Sequence, residues 1–376
     1  MANPGVLGTF DLNVGIKLDI EDVILLLSPY EVPLQGMYGA DGMSALSTDE
    51  CFEKKVEWLD EQLLLPKSTL AAAVATTTAT VIQMAAGTGV NFQTGDVLKE
   101  VATSELMQVT SWGNTADYLN VSRGFASTTA VAMSSGDTIL CLGSSLAEGS
   151  VPGAARAVDR VDRYNWTQIF GPTGIQVSQS EQAVQKFGLT STEFDHQVAN
   201  RVREEAIKLE QALINGIPTA GSGTVGRTMG GFTNYITSNV DAVTTTLSDS
   251  AILVQAQACF DAGGYPDRFM VGSKQKRVVS SIDSSQIRYG QDTDRRGQSV
   301  GYYETDFGLF SIILNRWCTT NQAFMFAREQ ATIMTLRPFQ FEMLAKTGDF
   351  LAGMVVGEKS LRYRRQLHSA MFTALT

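Results

Sequence analysis

The sequence predicts an α+β fold in which a long spine helix and a long-stranded antiparallel sheet accompany a separate α/β module and a small all-β insertion. Three observations predict it. A single amphipathic stretch over residues 190–215 carries Phe194, Val198, Val202, Ala206, Leu209 and Leu213 at three- and four-residue steps. Two runs, 331–345 and 350–367, alternate strictly enough to pair as a hairpin. Between residues 67 and 150 the composition shifts to Thr, Ala, Ser, Val and Gly, broken by turn signals.

Taken in order, residues 1–46 hold Gly, Pro, polar residues and one short apolar run at 23–27, and read as an extended arm. Ser47 and Glu50 have the spacing of a capping box and predict a helix with Phe52, Val56, Leu59 and Leu63 on one side, ended by Pro66. Short strands are expected at Asp96–Leu98, Leu106–Thr110, Tyr118–Ser122 and Thr138–Leu142, with Pro152-Gly153 closing the insertion. An extended segment from Tyr164 to Ser178 leads to the spine helix. Thr190 and Glu193 suggest its capping box, Arg201, Arg203, Glu204, Lys208 and Glu210 fall on its wet side, and Gly216 with Pro218 stops it.

A glycine-rich loop at 219–231 follows. Ser248 predicts a helix through Ala262, Arg268–Val271 a strand and Ser273–Ile282 a second helix. Residues 283–300 contain Arg288, Asp292, Asp294, Arg295 and Arg296 and read as an exposed loop. Near the carboxy terminus Phe339, Phe341, Met343 and Ala345 alternate, as do Leu361, Tyr363, Arg365 and Leu367. The turn between them is Lys346-Thr347-Gly348-Asp349.

Length and charge narrow the function. At 376 residues two or three domains are expected, and 44% hydrophobic content suffices for real cores. A net charge of −10 argues against gripping nucleic acid by bulk electrostatics. Residues 1–65 hold 12 acids against 3 bases, whereas residues 151–376 are nearly neutral. The acidic start points to a basic partner, against the plainer reading of a solvated segment. The opening MANPGVLGTFDLNV lacks the basic start and apolar core of a secretory leader. The uncharged but threonine-rich stretch 68–94 is a poor membrane span. Cys51, Cys141, Cys259 and Cys318 lie too far apart for a metal pattern and read as free thiols.

Catalytic signals are sparse. His196 and His368 are the only two histidines, and both read as structural or exposed, so no catalytic, cofactor or metal residues are expected. Gly221-Ser-Gly223-Thr-Val-Gly226 spells a dinucleotide fingerprint, but the predicted helix before it and the Arg227-Thr-Met-Gly-Gly after it lack the strand and helix start that mechanism needs. Asn120-Val-Ser122 and Asn165-Trp-Thr167 match glycosylation acceptors with no leader to expose them to the enzyme. The deficit favours a structural or binding role.

Val56-Glu57-Trp58-Leu59, Thr94-Gly-Asp-Val-Leu98, Val121-Ser-Arg-Gly124, Tyr164-Asn-Trp-Thr-Gln-Ile-Phe170, Leu336-Arg-Pro-Phe339 and Leu344-Ala-Lys-Thr-Gly-Asp349 occur in that order over some 300 residues. With them the chain resembles the major capsid proteins of tailed bacteriophages, which share the Hong Kong 97 fold, and within them the group with a β-rich insertion in the extended loop.

The resemblance implies an amino-terminal arm at 1–50, an extended loop at 51–178 with the insertion at about 67–150, a peripheral domain from 179–225 and 300–376, and an axial domain at 226–299. It implies a virion protein, assembled in the bacterial cytoplasm, whose partners are its own copies in pentamers and hexamers. Portal protein and scaffold or decoration proteins would be further partners, and the enclosed double-stranded DNA would be bound without sequence specificity. Neither an enzymatic activity, nor a cofactor, nor a membrane is implied. Candidate inter-subunit contacts are Trp58, Trp166, Arg362 and Arg364, the two arginines as partners for a neighbour's acidic arm. An encapsulin-like nanocompartment, a nucleotide-binding enzyme using 221–226 and a β-rich adhesin or tail component are the alternatives.

Overall fold

Period-two alternation governs most of this chain, and in the computed structural model it yields eighteen strands and five α-helices among the described residues. Those are residue 26 and residues 28–36, 46–113, 117–146, 148–149, 160–186, 192–282 and 302–376. Thr190, the Pro152-Gly153 pair, most of the run 23–27 and the loop from Arg288 to Arg296 lie outside them. The chain divides into two units, Met1–Trp58 with Asp162–Thr376, and Leu59–Val161.

In chain order β1 (Ser47–Glu50) and β2 (Lys55–Glu61) come first. Next are β3 (Lys67–Thr69), β4 (Val81–Gln83), β5 (Asp96–Glu100), β6 (Leu106–Trp112), β7 (Tyr118–Ser122) and β8 (Thr138–Ser144). β9 (Arg160–Trp166) pairs with β2, and β10 (Gln168–Ser178) follows it. Helices α1 (Gln179–Ala183), α2 (Glu193–Asn215) and α3 (Phe232–Tyr235) lead to β11 (Val240–Asp241), α4 (Asp249–Asp261), β12 (Arg268–Val271) and α5 (Ser273–Ile282). The last strands are β13 (Tyr302–Thr305), β14 (Gly308–Leu314), β15 (Ala323–Phe326), β16 (Ala331–Met343), β17 (Phe350–Tyr363) and β18 (Ala370–Phe372).

The larger unit holds two sheets. One has the order β1-β16-β17-β10. Its hairpin strands β16 and β17 run 13 and 14 residues, more than twice the usual strand. Their register shifts between Thr335 and Gln340, around Pro338, which has no N–H to give to a ladder. β1 pairs in parallel with β16, Ser47 opposite Thr332 and Glu50 opposite Thr335. The other sheet has the order β11-β18-β15-β12-β14-β13, with β12 and β15 wholly buried at its centre. Strands from 302–326 and 370–372 thus complete the sheet of the module expected at 226–299.

Ser248 caps α4, accepting from the Ala251 N–H at 3.3 Å, and α4 and α5 cover this second sheet through Ile252, Ala256, Cys259 and Val279. The spine helix α2 is 23 residues long and starts at Thr192, whose hydroxyl accepts from the Asp195 N–H at 3.2 Å. Phe194, Ala206, Leu209 and Leu213 are buried as expected, with Val198 and Val202 packed beside Phe194.

The helix expected from Ser47 to Leu63 is instead β1 and β2. Val56 and Trp58 are buried while Glu57 and Leu59 are exposed, so the period is two. Ser47 shares a hydrogen bond with Thr332 at 3.0 Å instead of capping a helix. Phe52 is left 92% and Leu63 76% exposed, so neither joins the stripe that a helical period assigned them. The edge of β16 offers Ser47–Glu50 a ladder, which settles the contest between local helix signals and pairing.

The smaller unit is a sheet of order β3-β8-β5-β6-β7-β4 that closes on itself. Its end strands meet where Leu70 bridges Met84, with the Ala71 N–H on the Gln83 carbonyl at 2.9 Å and the Ala85 N–H on that of Thr69 at 2.8 Å. Among the described residues closure leaves the ring without a free edge. Leu70, Ile82, Met84, Phe92, Leu98, Met107, Leu119 and Ile139 fill it, each fully buried aliphatic side chain contributing roughly 1.5–3 kcal/mol. The four strands read from the sequence lie at their expected places, each reaching the same length or slightly longer.

Candidate functional site

Three polar anchors hold the larger unit together. The first is Glu210. Sequence periodicity placed it on the wet side of α2, yet it is wholly buried, next to Leu209 and one turn from Ala206, Leu213 and Ile214. Its carboxylate faces the single helical turn Pro33–Gln35 and the end of β14. Oε1 accepts from the Leu34 N–H at 2.9 Å and from Asn315 Nδ2 at 2.8 Å, and Oε2 from Gln35 Nε2 at 3.1 Å. Gln35 Nε2 also donates to the Ala206 carbonyl at 2.7 Å. Burial outweighs these donors and pushes the Glu210 carboxyl up to about 7. The error in the periodic reading has a physical source. Hydrophobicity alone cannot reveal a carboxylate whose donors are 105 and 176 residues away.

The second anchor is Glu358 on β17. Thr167 Oγ1 and Arg227 Nη2 both donate to its Oε1 at 2.6 Å, and Arg337 Nε reaches Oε2 at 3.3 Å. Burial would raise this carboxyl, but Thr167 and the two guanidiniums hold it below its ordinary value. Asn165 is the third. Its Nδ2 donates to the carbonyls of Gly230 (3.1 Å) and Leu361 (2.6 Å), while its Oδ1 accepts from the N–H groups of Gly230 (2.8 Å) and Trp166 (2.9 Å). Wholly buried with all four bonds made, Asn165 is a strut and not a glycan acceptor.

The glycine-rich loop has a different job from the one its spelling suggests. Thr219 and Thr228 exchange backbone hydrogen bonds at 3.0 and 3.2 Å, and Ser222 closes the turn on Val225 at 2.9 Å. It is a small hairpin that follows α2 directly and aims Arg227 at Glu358. The strand-before, helix-after geometry of a pyrophosphate cradle is missing there.

The four residues singled out from the sequence sit in different settings. Trp58 is 6% exposed, packed on Tyr235 at 5.7 Å and against Met334, so its apolar surface is already covered within its own chain. Trp166 is half-buried, edge-on to Tyr164 at 6.1 Å. Arg362 is paired with Asp49 of the same chain at 3.3 Å. Arg364 is exposed beyond the end of β17. Sequence reasoning passed over other strongly exposed apolar groups, among them Val243 at 87%, Ile217 at 72% and Tyr265 at 67%.

Cys259 and Cys318 are buried thiols, pushed up to about 12 by burial, and Cys51 and Cys141 are half-buried; none of the four is in a disulfide. His196 shares a hydrogen bond with Asn200 at 3.2 Å along α2. Among the described residues no group of three or more His, Cys, Asp or Glu could hold a metal ion, and no helix is long and apolar enough to cross a membrane.

Comparison with known proteins supplies the frame. The profile of the family described as SU10 major capsid protein matches residues 6–376. No curated protein matches the sequence. Among solved structures the cyanophage A-1(L) capsid asymmetric unit superposes with a TM-score of 0.54 at 10% identity, covering 98% of this chain and 100% of that one. A Mycobacterium phage Cain structure gives 0.52 at 11% identity, covering 99% of each. The holo-SrpI encapsulin complex from Synechococcus elongatus covers 58% of this chain at a TM-score of 0.42, too slight a likeness to bear on the assignment.

Proposed function

Because this chain belongs to the SU10 major capsid protein family, we infer that many copies of it close into the icosahedral head of a tailed phage. They do so as pentamers and hexamers around double-stranded DNA. The match over residues 6–376 carries this reading, since it takes in the inserted ring as well as the flanking sheets. Within it, residues 1–50 serve as the amino-terminal arm and the insertion rides on an extended loop. The peripheral domain is α2 with the β1-β16-β17-β10 sheet, and the axial domain is α4 and α5 with the second sheet.

Ring contacts between identical subunits join one face to a different face, and a shell closes only if the rotation between them does. Each contact can be weak, because a subunit held by several neighbours gains effective concentration. Exposed side chains such as Val243, Ile217 and Met343 support the reading, for they would find cover against other copies. The net charge of −10 supports a container that does not hold its DNA tightly. Portal protein and scaffold or decoration proteins join the shell, which forms in the host cytoplasm.

Negative-stain microscopy and light scattering of the expressed chain test the reading. Closed shells of uniform size are expected. A stable 40.6 kDa single copy at every concentration and salt, with or without the other head proteins, would overturn it.

A further inference from the structure

At and just beyond the carboxy end of β17 stand three arginines, and among the described residues one of them is paired with an acid. Arg362 is paired with Asp49. Two residues on, the Arg364 N–H donates to the Gln330 carbonyl at 2.9 Å, and Arg365 heads the short turn Gln366–His368 with φ at +52°. Both side chains are exposed, and among the described residues neither guanidinium has a carboxylate within ion-pair distance. Arg123, Arg160, Arg201, Arg227, Arg316 and Arg337 all have one. Arg364 and Arg365 instead line a cavity of about 360 Å³ with Tyr265, His368 and a single acid, Glu329.

We propose that this cavity receives a carboxylate from the acidic amino-terminal segment of a second copy of the chain; the proposal rests on the shell-forming reading above. Residues 1–65 carry 12 acids against 3 bases and are the densest source of carboxylate in the molecule. Asp49 on Arg362 shows that an acid of this segment suits an arginine of this strand end. The chain's own β1 cannot serve both. It runs from Thr332 toward Thr335, away from Gln330 and so from Arg364, and carries Asp49 and Glu50 with it. Two adjacent guanidiniums can take a carboxylate through paired N–H donors, a geometry lysine would not offer.

The test mixes unlabelled subunits with nitrogen-15-labelled subunits carrying a benzophenone amino acid at position 364 or 365, assembles and irradiates them, and maps the links by mass spectrometry. Links from the cavity to residues 1–65 of the other isotope are expected. In parallel, shells of the Arg364→Ser, Arg365→Ser double variant should dissociate several degrees below wild type at low salt, the deficit vanishing near about 1 M salt. Links confined to one chain, to nucleic acid or to other segments would overturn the proposal, as would a salt-independent deficit or none. If unmodified subunits do not assemble, the shell reading fails and takes the proposal with it. If they assemble and the links fall elsewhere, the proposal alone fails.

Discussion

A carboxylate walled in by Leu209, Leu213 and Ile214 ionises only against the loss of its water shell. For Glu210 that loss moves the acid from 4.5 to about 7, equivalent to about 3 kcal/mol between the two protonation states. The folded chain binds this proton between those pH values and the unfolded chain does not. The contribution is therefore full below pH 4.5, declines as pH rises, and is gone above about 7. Glu105 and Glu358, held below their ordinary values, have the opposite slope and lose their contribution as pH falls. Wild type and Glu210→Gln should therefore differ in urea stability by an amount that changes with pH from 4.5 to 7. A difference that stays flat across that window would show that the carboxyl ionises normally.

Between strands, the hairpin β16–β17 depends on two missing side chains. A Cβ on Gly357 would meet the ring of Phe339 at 2.5 Å, and one on Gly353 would run into Phe341. The rings fill these gaps and continue outward, Phe339 edge-on to Phe170 of β10 at 6.2 Å and Phe341 edge-on to Phe194 of α2 at 5.6 Å. Gly357→Ala should cost about 1–3 kcal/mol through this crowding, and Phe339→Leu in the same chain should restore part of it, as measured by thermal unfolding.

Elements whose signals are local were legible in the sequence. α4 with its Ser248 cap, Arg268–Val271 and four ring strands stand as expected, because alternation, caps and turn residues lie within a few positions of one another. The hairpin forms too, but its second strand stops at Tyr363, since Arg365 turns left-handed and Leu367 falls in the turn Gln366–His368 instead of continuing the alternation. Ser47–Glu61 was misread because its deciding partner is a strand beginning at Ala331. Glu210, Glu358 and Asn165 were invisible as anchors for the same reason, since each is satisfied by donors or acceptors far off in sequence.

At the scale of the whole molecule, the unit Leu59–Val161 is continuous in sequence and has its own filled core. Expressed alone, residues 59–161 should unfold in one cooperative transition. Inside it Arg123 and Glu105 form an ion pair with side chains 5% and 0% exposed, at 2.6 Å. Arg123→Ala would strand that carboxylate and should remove about 3–5 kcal/mol, while Arg123→Met with Glu105→Leu should recover much of the loss. A non-cooperative melt of the isolated unit would mean that its core does not suffice.

The parallel pairing of β1 with β16 also sets a timetable on the ribosome. Ser47 emerges 285 residues ahead of Thr332, so at roughly 5–20 residues per second it must wait roughly 15–60 s for its partner strand. The inserted ring needs no such delay and should fold on the nascent chain while the acidic leader is still unattached. Nascent chains stalled with 330 residues emerged should therefore already resist protease across residues 59–161 and remain cleavable near Ser47, protection there appearing only after the terminal hairpin is released.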